Sequence, residues 1–350
     1  MKHVRLSIIG FGVVGQGLAE LLVAKKDMLR QDFDVDVSLV SVANSRHGFI
    51  YREEGLDIPT LLELTSAHRP LSEHPGIRCW ESPLAGLRAT GGDVLAEATG
   101  TNLRDAEPGL SHIRAALSQG MHVTTANKGP AALAANELFA LAQQHNVQLR
   151  MESTVMAGTP VISTVREGLA GARVYAARGI LNGTTNYILT AMAQGRDYAE
   201  VLAEAQAQGY AEADPTADVE GYDVVAKTMI LAALVFGRTL KPEQVQRQGI
   251  TTITKEQVQQ ALAAEKRIKL VASLRMGREG NDSTAGSIIA RVEPVALPLH
   301  DPLARIDGVM NAITFQTDTL AEVTISGPGA GRLQTGQGLL ADLLAIAKAM

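Results

Sequence analysis

The chain has 350 residues, 46% of them hydrophobic and 20% charged, which suits a soluble globule of two domains and exceeds what one ordinary core organises. A net charge of −5 without a Lys/Arg cluster, and aromatics at only 4%, leave no electrostatic footprint for nucleic acid or an anionic membrane and few surfaces on which bases stack. The single cysteine, Cys79, excludes an internal disulfide and is consistent with a reducing cytoplasm.

In chain order, the apolar run after Lys2-His-Val-Arg5 is broken by glycines and followed by no small-residue cleavage site, so it does not read as a signal peptide. Val4–Ile9 reads instead as a buried strand, Gly10-Phe11-Gly12-Val13-Val14-Gly15 as a glycine turn, and Val14–Lys26 as an amphipathic helix. Strand, turn and helix in this order give the G-x-G-x-x-G pattern its meaning. Gly10 permits the tight turn, Gly12 lets the backbone approach a pyrophosphate, Gly15 lets the helix pack on the strand, and the helix N-terminus attracts phosphate. A second strand, Val37–Ala43, runs into Asn44-Ser45-Arg46, where an acidic residue would favour NAD. Arg46 suits the 2′-phosphate of NADP, or is an ordinary surface arginine.

After a Pro/Gly-punctuated region, with Cys79 in a short strand, strands and helices alternate: Asp93–Ala98, Arg104–Gln119, Met121–Thr125, Ala131–His145, Val147–Met151. Such alternation predicts a parallel sheet. Two strand ends carry polar residues where this fold class binds ligands, Thr99-Gly-Thr-Asn102 and Thr124-Thr-Ala-Asn-Lys128. Lys128 is placed to meet cofactor phosphate, substrate carboxylate or a reacting oxygen, unless the loop merely caps the next helix. From Glu152 the pattern changes. A Gly- and Pro-interrupted loop to Pro160 leads to a strand Arg173–Leu181, helices to residue 208, a charged helical stretch Lys255–Ser273, strands Ser287–Val295, Asn311–Thr317 and Ala321–Ser326, and a helix Gly338–Ala349. Apolar runs such as Met229–Phe236 fall short of the ~20 residues of a membrane span.

The densest chemistry lies between Gly209 and Lys227. Asp218 is the expected N-cap of a helix on which Asp223 and Lys227 are i,i+4 neighbours, on an arc shared with Val219, Ile230 and Leu231. A charged pair embedded in an apolar stripe is costly, which marks it apart from a solvated surface pair.

Ala205-x-x-x-Gly209-Tyr-Ala-x-x-Asp214-Pro215-x-x-Asp218-Val-x-Gly221-x-Asp223-x-x-x-Lys227 fits a family signature at every fixed position. Together with the Gly10–Gly15 turn, Thr-Ala-Asn-Lys128, the Glu152–Pro160 loop, Arg178-Gly-Ile-Leu-Asn-Gly-Thr-Thr-Asn186 and Gly-Pro-Gly-Ala-Gly331, it makes the whole chain resemble homoserine dehydrogenase. The resemblance implies a Rossmann-type dinucleotide-binding domain over 1–140, with 327–350 returning to it, and an α+β substrate-binding and dimerisation domain over 141–326. It implies reversible NAD(P)-dependent hydride transfer between L-homoserine and L-aspartate 4-semialdehyde, on the route to threonine, methionine and isoleucine, in a cytoplasmic homodimer.

By the same resemblance Lys227 carries the hydroxyl proton, and its apolar stripe would supply the desolvation that lowers a lysine pKa. Asp223, whose charge acts the other way, grips the substrate ammonium, with Glu212 a second substrate contact and Lys128 at the cofactor–substrate junction. Phe11, Gly12, Val13, Thr99, Gly209 and Gly331 are implied against the cofactor, NADP being preferred slightly to NAD through Arg46. Glu152, with the carbonyls of Val155, Ala157 and Thr159, is implied to hold a monovalent cation, usually sodium. Family members that sense threonine carry a further C-terminal domain, so weak threonine inhibition at most is expected. Two rivals remain: an aspartate-semialdehyde dehydrogenase-like enzyme, which needs Cys79 as an activated nucleophile, and a cofactor-binding redox sensor without turnover.

Overall fold

In a computed structural model, which describes residues 1–44, 48–277 and 287–350, the chain divides into two compact units, Met1–Gly158 with Gly331–Met350, and Thr159–Ala330. The change of unit falls at Gly158/Thr159 and not at 140/141, because residues up to 158 still complete the first sheet and pack under its last helix.

The first unit contains β1 (Lys2–Ile9), α1 (Val13–Ala24), α2 (Lys26–Phe33), β2 (Val35–Asn44), β3 (Gly48–Tyr51), α3 (Ile58–Ser66), β4 (Arg78–Trp80), α4 (Pro83–Thr90) and β5 (Val94–Glu97). It continues with α5 (Gly109–Ser118), β6 (His122–Thr125), α6 (Lys128–Leu133), α7 (Ala135–Gln144), β7 (Leu149–Arg150) and α8 (Ser153–Met156). Among the described residues its sheet has seven strands in the order β4-β3-β2-β1-β5-β6-β7. From β2 to β7 all pairs are parallel, and β3 and β4 add an antiparallel edge. The order reverses direction at β1, so the crevice beyond the carboxyl ends of β1, β2 and β5 is where this architecture takes a ligand. Val4, Leu6 and Ile8 of β1 are fully buried with Leu39 and Val42 of β2 and Leu18 and Leu22 of α1. The expected helix from Arg104 starts only at Gly109. Asn102 and Asp105 use their side-chain oxygens on the backbone N–H groups of Arg104 and Glu107, which holds that stretch in turns instead.

The second unit contains β8 (Val174–Ile180), α9 (Gly183–Ala193), α10 (Tyr198–Ala207), α11 (Thr216–Val219), α12 (Tyr222–Phe236), β9 (Val245–Arg247), α13 (Lys255–Ala263), β10 (Lys266–Met276), β11 (Ile288–Pro298), β12 (Met310–Thr317) and β13 (Ala321–Pro328). Its described sheet has six strands in the order β13-β12-β8-β10-β11-β9, antiparallel except for β9 against β11. The charged stretch expected to be one helix over Lys255–Ser273 is a short helix and then a strand. A Thr254/Gln257 capping box starts α13, Glu265 at φ 55° reverses the chain, and the rest pairs along its whole length with β11. The chain ends in α14 (Arg332–Ala349), which belongs to the first unit and lies on α1. Backbones approach closely there, since a Cβ on Gly17 would stand 2.3 Å from the Arg332 carbonyl oxygen.

Candidate active site

In the second unit, the helix expected to begin with Asp218 as its cap does not. Gly221 takes φ 80°, a conformation that costs a side-chain-bearing residue strain, and separates the single-turn α11 from α12. Asp218 is freed from capping and lies half-buried in α11, where its Oδ1 accepts a hydrogen bond from Asn182 Nδ2 at 2.7 Å. Asp223, in the first turn of α12, is stabilised by the N-terminal end of the helix dipole. Its Oδ2 pairs with Lys227 Nζ at 2.8 Å, the side chains being 12% and 9% exposed, and also accepts from Asn182 Nδ2 at 3.1 Å.

Lys227 Nζ donates to the Leu181 carbonyl at 2.6 Å. Every residue of α12 from Val224 to Ala233 is buried, so the lysine is embedded, although Val219, expected on the same helical arc, lies in α11 before the break. Burial pushes the Asp218 carboxyl above its ordinary pKa. The Asn182 N–H opposes this, the Asp223 charge adds to it, and Thr184 and Lys227 oppose it. A desolvated ammonium between a carbonyl and a carboxylate, with a second carboxylate beside it, can exchange a proton with a hydroxyl and bind an ammonium group. Asp218 and Asn182 are members of the cluster that the sequence reading does not name as site residues. Both stand in the family motifs, but Asp218 reads there as a helix cap and Asn182 is given no role.

Glu212 is exposed on the loop after α10, held by Gln206 Nε2 donating to the carbonyls of Glu212 and Ala213 at 3.1 and 3.2 Å. Gly209 makes the closing turn of α10 at φ 74°.

In the first unit, Gly10, Phe11, Gly12 and Thr99 line one cavity of about 380 Å³, together with Gln16, Asn44, Ala98 and Gly100. Gly10 sits at φ 99°, and a Cβ there would stand 2.3 Å from the Ala98 carbonyl carbon. A Cβ on Gly12 would meet nothing within 4 Å. Gly12 is the N-cap of α1 and brings no capping side chain, so the first N–H groups of the helix have no side-chain cap from it. Phe11 is 2% exposed, which leaves its backbone and not its ring to a ligand, whereas Val13 is 64% exposed at the helix start and Val14 is half-buried. The far wall is made by Thr65, His68, Arg69 and Leu71, with Arg69 paired to Glu73. Arg46 lies outside the described residues. Gly331 is the N-cap of α14 at φ 130°.

Lys128 is the half-buried first residue of α6, which Asn127 caps by accepting from the Gly129 N–H at 3.0 Å. Under the two strand-end loops sits Glu97, fully buried. It accepts from the Thr99 N–H at 3.1 Å, from the Thr99 hydroxyl and from the Thr125 hydroxyl at 3.2 Å, and lies 3.7 Å from His112 Nδ1. Asn127 Nδ2 donates to Thr99 Oγ1 at 3.1 Å, which joins the two loops. The sequence points to both loops but not to the carboxylate that ties them, although an acid closing an apolar strand is its visible trace.

Glu152, Val155 and Ala157 are buried at α8, and Thr159, the first residue of the second unit, donates its hydroxyl to the Pro328 carbonyl at 2.9 Å. Ala157 takes φ 50°, unusual for a residue with a Cβ, which turns its carbonyl out of the helical direction. Glu152, Val155 and Ala157 of the first unit offer oxygen donors only, the type a hard cation takes. Among the described residues no group of three His, Cys, Asp or Glu side chains forms a transition-metal site. Behind Glu152, the Asp342 Oδ2 of α14 accepts from the Glu152 N–H at 3.0 Å and the Thr124 hydroxyl at 2.9 Å.

A family profile described as homoserine dehydrogenase matches residues 160–344, and one described as the homoserine dehydrogenase NAD-binding domain matches 10–152. An NAD(+)-dependent homoserine dehydrogenase of Pseudomonas canavaninivorans is 40% identical over 346 residues, 99% of this chain and 97% of that one. A homoserine dehydrogenase of Methanocaldococcus jannaschii is 36% identical over 340 residues, 97% of each chain. Among solved structures, a hyperthermophilic archaeal homoserine dehydrogenase in complex with NADPH superposes with a TM-score of 0.83 at 29% identity, covering 100% of this chain and 99% of that one. A homoserine dehydrogenase of Thiobacillus denitrificans gives 0.82 at 31% identity, covering 99% and 74%.

Proposed function

The chain belongs to the homoserine dehydrogenase family, NAD(P)-linked oxidoreductases acting on an alcohol, and from that premise we propose how its own residues divide the work on L-homoserine and L-aspartate 4-semialdehyde. Gly10, Gly12, Val13 and Thr99 would hold the dinucleotide, which accepts the hydride in one direction and returns it in the other. The neutral amine of Lys227 takes the proton of the substrate hydroxyl as oxidation proceeds, becoming the ammonium, and the ammonium gives that proton back in reduction. Asp223 orients that ammonium and, with Asp218, presents negative charge to the amino group of the substrate. Glu212 reaches the same group from its loop, and Lys128 assists by position and charge. The observation that carries this reading is the buried Lys227 ammonium held between the Leu181 carbonyl and Asp223.

The test follows absorbance of the reduced nicotinamide with homoserine, serine, lactate and malate in the wild type and two variants. Homoserine alone is expected to turn over. Lys227→Ala should lower kcat by about 10²–10⁴-fold with cofactor affinity little changed, whereas Lys128→Ala should also raise a KM. If the basic limb of the pH profile survives in Lys227→Ala and vanishes in Lys128→Ala, the two roles are reversed.

The finer features belong to the same reading. Basic groups at Arg46, His68 and Arg69 favour NADP. Glu152 with the Val155, Ala157 and Thr159 carbonyls would take sodium. The edge strand β13 of the second sheet is the surface for a homodimer, and the compartment is the cytoplasm. Cys79 is exposed on the edge strand β4 of the first sheet, a poor setting for the activated nucleophile that a semialdehyde dehydrogenase requires. The turnover assay separates the enzyme from a silent cofactor sensor.

A further inference from the structure

Asn182 is 5% exposed and stands at the junction of β8 and α9. As the N-cap of α9 it accepts, through Oδ1, from the Thr185 N–H at 2.9 Å and the Thr185 hydroxyl at 3.1 Å. A backbone N–H only donates, so the amide carbonyl must face Thr185 and the NH₂ must face the other way. There Nδ2 donates to Asp218 Oδ1 at 2.7 Å and to Asp223 Oδ2 at 3.1 Å. The preceding residue, Leu181, supplies the carbonyl that holds Lys227.

One turn along α9 a second asparagine anchors the helix. Asn186, 2% exposed, donates through Nδ2 to the carbonyls of Ile306 and Met310 at 3.1 and 3.0 Å and accepts through Oδ1 from Lys269 Nζ at 3.0 Å. Lys269 is itself 1% exposed and reaches Asp307 at 3.2 Å. The first turn of α9 therefore cannot rotate without breaking buried polar contacts, each costly to leave unmade.

We propose that Asn182 is a positioning residue of the reaction: its NH₂ bridges Asp218 and Asp223, fixing both carboxylates against Lys227 from a helix turn clamped by Asn186 and Lys269. This rests on the assignment of Lys227 and Asp223 as the chemical groups. Asp223 pairs with Lys227, and Asp218 lies near enough to feel both charges in a desolvated place, so the like charges drive one carboxylate to take a proton or to swing away. Two N–H groups from one rigid amide hold both anions where they are, and no other side chain of this size both caps a helix and donates twice.

Asn182→Ser and Asn182→Asp separate the two duties, because each keeps a good helix cap but not the two-donor bridge. The groups facing Asp218 are Asn182 and Thr184 from α9 and Asp223 and Lys227 from α12. Burial already holds the Asp218 carboxyl up against the Asn182 N–H, so losing that N–H raises it further. The pH profile of kcat/KM for homoserine would be measured in the wild type, both variants and Lys227→Ala, with circular dichroism for the fold and separate cofactor titration.

Both variants are expected to fold and to bind cofactor as the wild type does. Their kcat/KM should fall by about 10²-fold, and further for Asn182→Asp, with the acidic limb displaced to higher pH. Values within about twofold of wild type and an unmoved limb, while Lys227→Ala loses turnover, would overturn the proposal and leave the catalytic assignment standing. Full turnover in Lys227→Ala would instead remove the assignment and the proposal with it. Failure of both variants to fold would show that Asn182 serves the fold alone, which also overturns the proposal.

Discussion

Replacing Asp342 by Asn should change how stability depends on pH, in a direction that the burial of its carboxyl sets. Asp342 is 4% exposed on α14. Burial pushes its carboxyl from the ordinary 3.8 up to about 7; the Glu152 N–H opposes this, the Glu152 charge adds to it, and the Thr124 hydroxyl and Arg150 oppose it. The folded chain therefore keeps a proton that the unfolded chain has lost, between about pH 4 and 7. A state that binds more protons loses ground as pH rises, so folding is favoured at the acidic end of that window. At about 1.4 kcal/mol per pH unit the whole window is worth roughly 4 kcal/mol, lost by pH 7 and constant above it. Asparagine mimics the protonated acid: its carbonyl can accept from Thr124 and Glu152 as Oδ2 does, and its NH₂ replaces the acid O–H. Urea unfolding of both proteins between pH 5 and 8, in sodium-free buffer so that no cation at Glu152 competes, gives the difference free of the other carboxylates. The variant should gain on the wild type by about 1.4 kcal/mol per unit from pH 5 to 7 and then hold its lead. A difference independent of pH across this range would refute the reasoning.

Other outcomes follow from single side chains. Glu97→Ala strips the acceptor from the Thr99 N–H and hydroxyl, while the Thr125 hydroxyl keeps the Glu97 backbone carbonyl at 2.9 Å, so the melting temperature should fall by an amount equivalent to about 1–3 kcal/mol, and the KM for cofactor should rise more than the KM for homoserine. Equal effects on the two KM values would mean that Glu97 does not act through the cofactor loop. Arg46→Ala should lower the NADP⁺/NAD⁺ ratio of kcat/KM about tenfold, as expected for a lost charge-assisted contact to the 2′-phosphate, and an unchanged ratio would return the preference to His68 and Arg69 or abolish it.

What the sequence made legible was whatever depends on short spacing. The glycine turn needs six consecutive residues and a flanking strand and helix, and the Asp223–Lys227 pair needs only the helical period, so residue order alone reveals both. The start of α12 was misplaced because two local rules compete there. Asp218 is a good cap by type, but Gly221 at φ 80° restarts the helix, and a Cβ there would stand 3.3 Å from Val292, a neighbour that local sequence does not reveal. The rest was hidden because it depends on distant partners. Asn182 meets Asp218 and Asp223 across 36 and 41 residues, and Asp342 meets the Glu152 backbone across 190.

The same division has a chemical basis. The groups assigned to touch substrate and cofactor cluster in short motifs because a turn or a helix period sets their spacing cheaply. The groups that hold them, Asn182, Lys269, Glu97 and Asp342, are buried and polar, and burial of such groups is tolerated only where the fold brings partners from elsewhere in the chain. In sequence Lys269 and Asp342 stand with no motif around them, and the runs that contain Asn182 and Glu97 do not show which partners those two residues meet. In the structure each is surrounded by hydrogen-bond partners that a truncation would leave unsatisfied. A variant that leaves every group assigned to touch substrate or cofactor intact can therefore still disable the enzyme, and these buried supports are the positions where that should occur.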